Sequence, residues 1–223
     1  MNSSNFLQLQ AYNTFIFDFD YTLANSSKGI LMCFHTVLRR HHFSGITDDM
    51  IKRTIGMTLE DSFAQLTGLG DKETLLNFKT EYKKEADMVM SANTHFYPEA
   101  LSFLKRIREI SINNKIGIVS TKESSTIGKT IDEYNVQGLF DIIIGIEEVR
   151  VAKPDPEGLL LAVSRLNSTT DKTLYFGDSI IDAKTAHSAG VDFVAVTTGA
   201  TTKDELSSYP HKAILSSFAS VIE

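Results

Sequence analysis

The sequence predicts an α/β protein in which a parallel sheet is covered by helices on both faces and interrupted by an inserted all-helical segment. Two observations carry that reading. Short apolar runs at Tyr12 to Phe19, Lys115 to Val119, Asp141 to Ile144, Thr173 to Phe176 and Asp192 to Val196 are separated by segments of helical periodicity. Strands alternating with helices of this length imply a parallel sheet buried on both sides. The exception is Ala24 to His95, which is periodic as helix almost throughout and contains no convincing strand. The chain of 223 residues is long enough for one substantial core carrying a smaller insertion. We therefore divide it into a core of residues 1–23 and 96–223 and a helical insertion of residues 24–95.

Taken in order, YNTFIFDF at Tyr12 to Phe19 is an aromatic and β-branched run that meets acids at its end, as a buried strand reaching a polar rim would. In the insertion, Ile30, Phe34, Val37 and Leu38 form one apolar face, and Leu59, Phe63 and Leu66 a second that Gly68 stops. Leu75, Phe78, Tyr82, Ala86 and Val89 form a third, on what is expected to be the longest helix. Beyond it, Pro98 to Ile110 aligns Leu101, Leu104 and Ile107, and the next segment aligns Ile127, Ile131 and Tyr134. Glu157 to Leu166 repeats the pattern with Leu160, Val163 and Leu166. Ala183, Ala186 and Ala189 allow close helix packing before Gly190 ends the helix, and Thr202 with Glu205 has the spacing of a capping box.

Composition narrows the function classes. Twenty-two Lys and Arg against 28 Asp and Glu leave a formal net charge of −6, the wrong sign for a general nucleic-acid binder. Cys33 is the single cysteine, so neither an intramolecular disulfide nor a cysteine-rich zinc site is available. Met1 to Asn13 has no Lys or Arg and only a short apolar fragment, which reads as neither leader nor anchor. No later run approaches the ~18 apolar residues of a spanning helix. The expectation is a soluble cytoplasmic protein with no membrane partner. No feature of the sequence sets its oligomeric state.

In parallel sheets, ligands bind beyond the carboxyl ends of the strands, and four polar clusters fall at such ends. Asp18-Phe19-Asp20-Tyr21-Thr22 puts two acids on one strand face as the strand stops. Ser120-Thr121-Lys122 follows KIGIV and offers a hydroxyl and backbone N–H groups at a helix start, which suit a phosphate oxygen. Lys153-Pro154 joins a point charge to a fixed turn. Gly177-Asp178-Ser179-Ile180-Ile181-Asp182 follows TLYF and puts Asp178 where a hard cation could bridge it to Asp18. Each cluster alone has an ordinary explanation: a solvated turn, a helix cap, a surface lysine, or a first-turn acid at Asp182. The specificity lies in their order together with their placement at strand ends.

That ensemble resembles the haloacid dehalogenase superfamily, with its DxDxT, Ser or Thr, Lys and GDxxxD-type motifs, over about Phe15 to Thr197. The resemblance implies a Rossmann-like core, and makes the insertion a helical cap of the kind found in phosphoglycolate phosphatase-like and phosphoglucomutase-like members. It implies a magnesium-dependent phosphatase acting on a small phosphorylated metabolite. Asp18 would attack phosphorus, and Asp20 would protonate the leaving oxygen and then activate water. Ser120, the Thr121 amide and Lys153 would hold phosphoryl oxygens. The metal set would be Asp18, Asp178, the backbone carbonyl of Asp20 and, in the outer shell, Asp182. An all-oxygen set suits magnesium better than zinc.

Tyr21 departs from the glycine that commonly precedes the motif threonine. A dehalogenase would have no use for an acid at Asp20 or a metal cluster. A sugar-phosphate mutase would carry an arginine where GMTLEDSF has Leu59. A pyrophosphatase of the same fold and a noncatalytic phospholigand-binding protein complete the alternatives. Lys122 could also reach the phosphate but is assigned to the helix surface, His41 and His42 to a solvated helix end, and Arg53 to an exposed face unless it contacts substrate. Phe34, Phe63 and Tyr82 are assigned to the core of the insertion.

Overall fold

The structure, a computed structural model, describes residues 9–221. Of the segment read as lacking a leader, Met1 to Gln8 lie outside the described residues. Strands β1 (Thr14–Phe17), β2 (Ala24–Asn25), β3 (His95–Phe96), β4 (Lys115–Val119), β5 (Ile142–Ile144), β6 (Thr173–Gly177), β7 (Asp192–Val196) and β8 (Ala213–Leu215) form two sheets. Six of them make one parallel sheet in the order β5-β4-β1-β6-β7-β8. The helices are α1 (Ser27–Arg40), α2 (Asp48–Lys52), α3 (Leu59–Thr67), α4 (Lys72–Val89), α5 (Pro98–Ile110), α6 (Ser124–Glu133), α7 (Glu157–Arg165), α8 (Ile180–Ala189) and α9 (Lys203–Ser207).

Every residue of β1 is buried, as a strand covered on both faces requires. Alternation sends Phe15 and Phe17 into a core with α5 and α6, and Ile16 into a second core with α7 and α8. The Phe17 and Phe176 rings stack at 4.6 Å across neighbouring strands, which ties the two strand ends that carry acids to a common level. The sheet with helices on both faces is the α/β fold expected from the sequence. β4, β7 and α5 have the expected bounds.

Several details differ. β8 has only three residues and β2 and β3 only two each, too short for a periodicity to register. β2 and β3 pair antiparallel where the chain enters and leaves the helical segment, so that region is not free of strand. On α7 the inward face is Leu159, Ala162, Val163 and Leu166, while Leu160 is 41% exposed. The i, i+3, i+4, i+7 set one position earlier is the one that meets the sheet. Tyr134 sits at the end of α6 and lies edge-on to Phe96 rather than in the core.

Helices α1, α3 and α4 enclose a third cluster in which Phe34, Phe63 and Tyr82 meet. Gly68 ends α3 and Gly190 ends α8, both in the left-handed conformation open to glycine. His41 is not fully solvated: it stacks on Phe78 and contacts Glu81 at 2.7 Å. Among the described residues, no helix is long and apolar enough to cross a membrane.

Candidate active site

The three central strands β4, β1 and β6 deliver their C-terminal residues side by side, and three of the four polar clusters with them. Asp18 follows β1, its N–H continuing the ladder to the Phe176 carbonyl at 2.9 Å. Ser120 follows β4, its N–H bonded to Ile144 at 3.0 Å, and Asp178 follows β6. Lys153 arrives from the loop after β5, through a cis bond to Pro154, and its Nζ donates to Asp18 Oδ1 at 2.8 Å and Asp182 Oδ1 at 2.7 Å.

Asp18, Asp178 and Asp182 each present a carboxylate oxygen within 4.8 Å of the others. All three are buried, and so is Lys153. Burial pushes the Asp18 carboxyl up to about 7, with Lys153 pulling it down and Asp182 and Asp20 adding to the rise. Asp178 is raised well above the ordinary carboxylate range by burial, then by Asp182 and Asp18. Burial works against the Lys153 charge, but Asp18 and Asp182 outweigh it and hold the ammonium's pKa well above its usual value. The cluster thus holds more anionic sites than one lysine neutralises, and all its donors are oxygen. That is the chemistry of a site for a hard divalent cation.

The packing keeps space for those carboxylates. A Cβ on Gly199 would lie 1.8 Å from Asp178 Oδ2, and one on Gly177 would lie 2.3 Å from Asp182. Thr22 Oγ1 donates to Asp178 Oδ1 at 3.3 Å. Asp182 completes a capping box with Ser179 and also accepts from Tyr175 at 2.9 Å. With Lys153 added, both of its oxygens already serve protein donors. Asp182 is therefore more than a first-turn acid: it anchors the lysine.

Asp20 stands apart from the carboxylate cluster, accepting from Ser26 and from Lys122 Nζ at 2.8 Å. Lys122 is consequently not on a helix surface. α6 starts only at Ser124, so Ser120, Thr121 and Lys122 form a turn ahead of the helix rather than its first residues. Thr121 Oγ1 donates to Gly56 of the helical segment at 3.1 Å, joining the two parts of the chain beside the site. Tyr21 adopts φ 61°, a left-handed conformation that glycine takes without steric cost. Its carbonyl accepts from Thr198. Arg53 is exposed as expected and pairs with Glu205 at 3.2 Å.

Sequence reasoning overlooked Thr22, Ser26, Tyr175 and Gly199 as site components. Thr22 lay inside a quoted motif. Tyr175 lay inside the quoted run TLYF, and neither Ser26 nor Gly199 carries a motif of its own.

The sequence model of the haloacid dehalogenase-like hydrolases matches residues 15–196, and the chain belongs to that family. Pyrophosphatase PpaX of Listeria innocua is 30% identical over 179 residues, covering 79% of this chain and 79% of its own. Probable phosphatase IndB of Dickeya dadantii is 28% identical over 213 residues, 93% of this chain and 90% of its own. A crystal structure of a haloacid dehalogenase-like hydrolase from Bacteroides fragilis is 50% identical, with a TM-score of 0.91 over 94% of this chain and 99% of that one. A Lactobacillus plantarum structure described as a phosphoglycolate phosphatase shares the fold at a TM-score of 0.83 and 21% identity, over 95% and 98% of the two chains.

Proposed function

We propose that the chain is a magnesium-dependent phosphatase that hydrolyses a small-molecule phosphate monoester through a phosphoryl group carried transiently on Asp18. The observation that carries the reading is Lys153 Nζ held between Asp18 and Asp182, with Asp178 beside them at the carboxyl edge of the sheet. Phosphoryl transfer asks mainly for positioning and for charge to meet several phosphoryl oxygens.

Asp18 is the nucleophile: its Oδ attacks phosphorus in line with the leaving oxygen. Asp20 carries the proton that the leaving oxygen takes, and the carboxylate left behind, held by Lys122, then accepts a proton from the water that releases phosphate. Ser120, the Thr121 amide and Lys153 hold the phosphoryl oxygens, and Asp182 with Tyr175 fixes the lysine. Asp18 and Asp178, with the Asp20 backbone carbonyl, would hold Mg²⁺, and Asp182 lies outside that set. When bound, the ion supplies positive charge to the transferring group and to the attacking carboxylate.

The helical segment of residues 24–95 acts in this reading as a cap over a core of residues 1–23 and 96–223, the β2–β3 ribbon serving as its base. The relatives named PpaX favour pyrophosphate as a second reading of the substrate. Phosphate release from a panel of small monoesters and pyrophosphate, with and without Mg²⁺, tests both. Metal-dependent release from an ester, lost in Asp18→Asn, is the expected result. Release from pyrophosphate alone selects the second reading, and no release from any candidate overturns both.

A further inference from the structure

Resting on the phosphatase reading, the geometry points to a substrate class: a monoester whose leaving group is uncharged and largely apolar. A cavity opens at Asp20 between the helical segment and the sheet, so that the group attached to the leaving oxygen projects into it. Ile30, Phe34, Ile55, Leu59, Tyr82 and Met90 give its wall an apolar face.

Its charges cancel within the wall itself. Lys79 pairs with Glu60 at 2.6 Å, Lys83 with Glu123 at 2.5 Å, and Lys122 with Asp20 at 2.8 Å. A second anion on the substrate would find each of these lysines already engaged by a carboxylate. To pair with one of them it would have to displace the carboxylate that already holds it.

The wall's hydroxyls are committed as well. Thr54 donates to Ile51, Ser62 to Thr58 and Thr121 to Gly56. Tyr82 and Thr126 are exceptions: both line the cavity, Tyr82 is 6% exposed, and neither hydroxyl has a partner among the described residues. The pocket therefore offers an apolar surface and two neutral hydroxyls. That suits an aryl or alkyl body bearing a carbonyl or hydroxyl. It does not suit a carboxylate, as on phosphoglycolate, or a second phosphate.

The test compares isosteric phenyl phosphates, para-carboxamide against para-carboxylate, together with phosphoglycolate and pyrophosphate, all with Mg²⁺ and the wild-type chain. The expected result is a kcat/KM at least about tenfold higher for the carboxamide than for the carboxylate. Leu59→Lys, which adds a cation with no partner, should shrink that ratio. An equal or higher kcat/KM for the carboxylate, or a preference for phosphoglycolate or pyrophosphate, overturns the substrate class and leaves the phosphatase reading standing. No turnover of any ester takes down both. The wild-type ranking decides the matter even if Leu59→Lys does not fold.

Discussion

Lys122 Nζ lies 2.8 Å from Asp20 Oδ1, with both side chains about nine-tenths buried, although the two residues are 102 positions apart in the chain. The pair fixes the carboxylate proposed to exchange protons with the leaving group. Ser26 donates to the same oxygen, which leaves Oδ2 without a donor among the described residues.

Removing the lysine should therefore mimic, in weaker form, removing the acid. General acid catalysis typically contributes ~10²–10⁴-fold. Asp20→Asn is expected to lose that much with poor leaving groups and far less with good ones. Lys122→Met should show the same dependence with a smaller loss. In the double variant the two losses should not add. A uniform loss across leaving groups in either variant would count against the pairing as the source of the effect.

Lys153→Met leaves Asp18 and Asp182 buried without their cation. Breaking a buried pair costs about 3–5 kcal/mol, to be read from urea unfolding without metal. Asp178→Asn acts in the opposite direction, since it removes one of the excess anions. It should raise metal-free stability by on the order of 1 kcal/mol while abolishing stabilisation by Mg²⁺. A destabilised Asp178→Asn protein would show that the cluster is not electrostatically overloaded.

The same excess sets a pH dependence. Asp18 is raised from 3.8 to about 7 in the folded chain, so between those values the native state binds more protons than the unfolded one. The site's contribution to stability is thus present below about pH 4 and lost as pH rises toward 7. Metal-free Tm should fall across the upper part of this window. The increment in Tm from Mg²⁺ should grow over the same range, because the ion needs the deprotonated carboxylate. An increment that does not change with pH would mean that Asp18 is not a ligand.

Cys33 is fully buried, and burial pushes its thiol up to about 12. The thiolate is the reactive species. A disulfide reagent such as dithionitrobenzoate should leave the native protein unmodified at pH 8 and titrate one thiol after denaturation. Rapid native labelling would place α1 differently.

Much of this arrangement was legible in the sequence, and the exceptions have physical causes. Asp18, Ser120 and Asp178 could be picked out because each follows a buried run that a parallel sheet must align, whereas Lys153 sits in a loop well beyond β5 and was found by its place in the order of the motifs. The sequence named them but could not supply their distances. Lys122 was misassigned because Ser120 and Thr121 read as a helix start, whereas α6 begins only at Ser124 and the turn ahead of it brings the side chain to Asp20. Leu160 was misplaced because a one-position shift in a leucine-rich helix leaves the pattern almost unchanged. Tyr21 stood out as a departure, while its positive φ, the reason glycine suits the position, is a property of the backbone alone. The two-residue strands at Ala24 and His95 fall below the length at which any pattern can be detected.

Asp18 is expected to become phosphorylated during turnover. The most direct test is to quench the enzyme in acid during steady-state hydrolysis of phenyl phosphate with Mg²⁺, reduce with borohydride and map the peptides by mass. An acyl phosphate at Asp18 is reduced to homoserine at that position, and the account expects this change in the wild type but not in Asp18→Asn. Steady turnover in which Asp18 remains unmodified and another residue carries the phosphoryl group would contradict it.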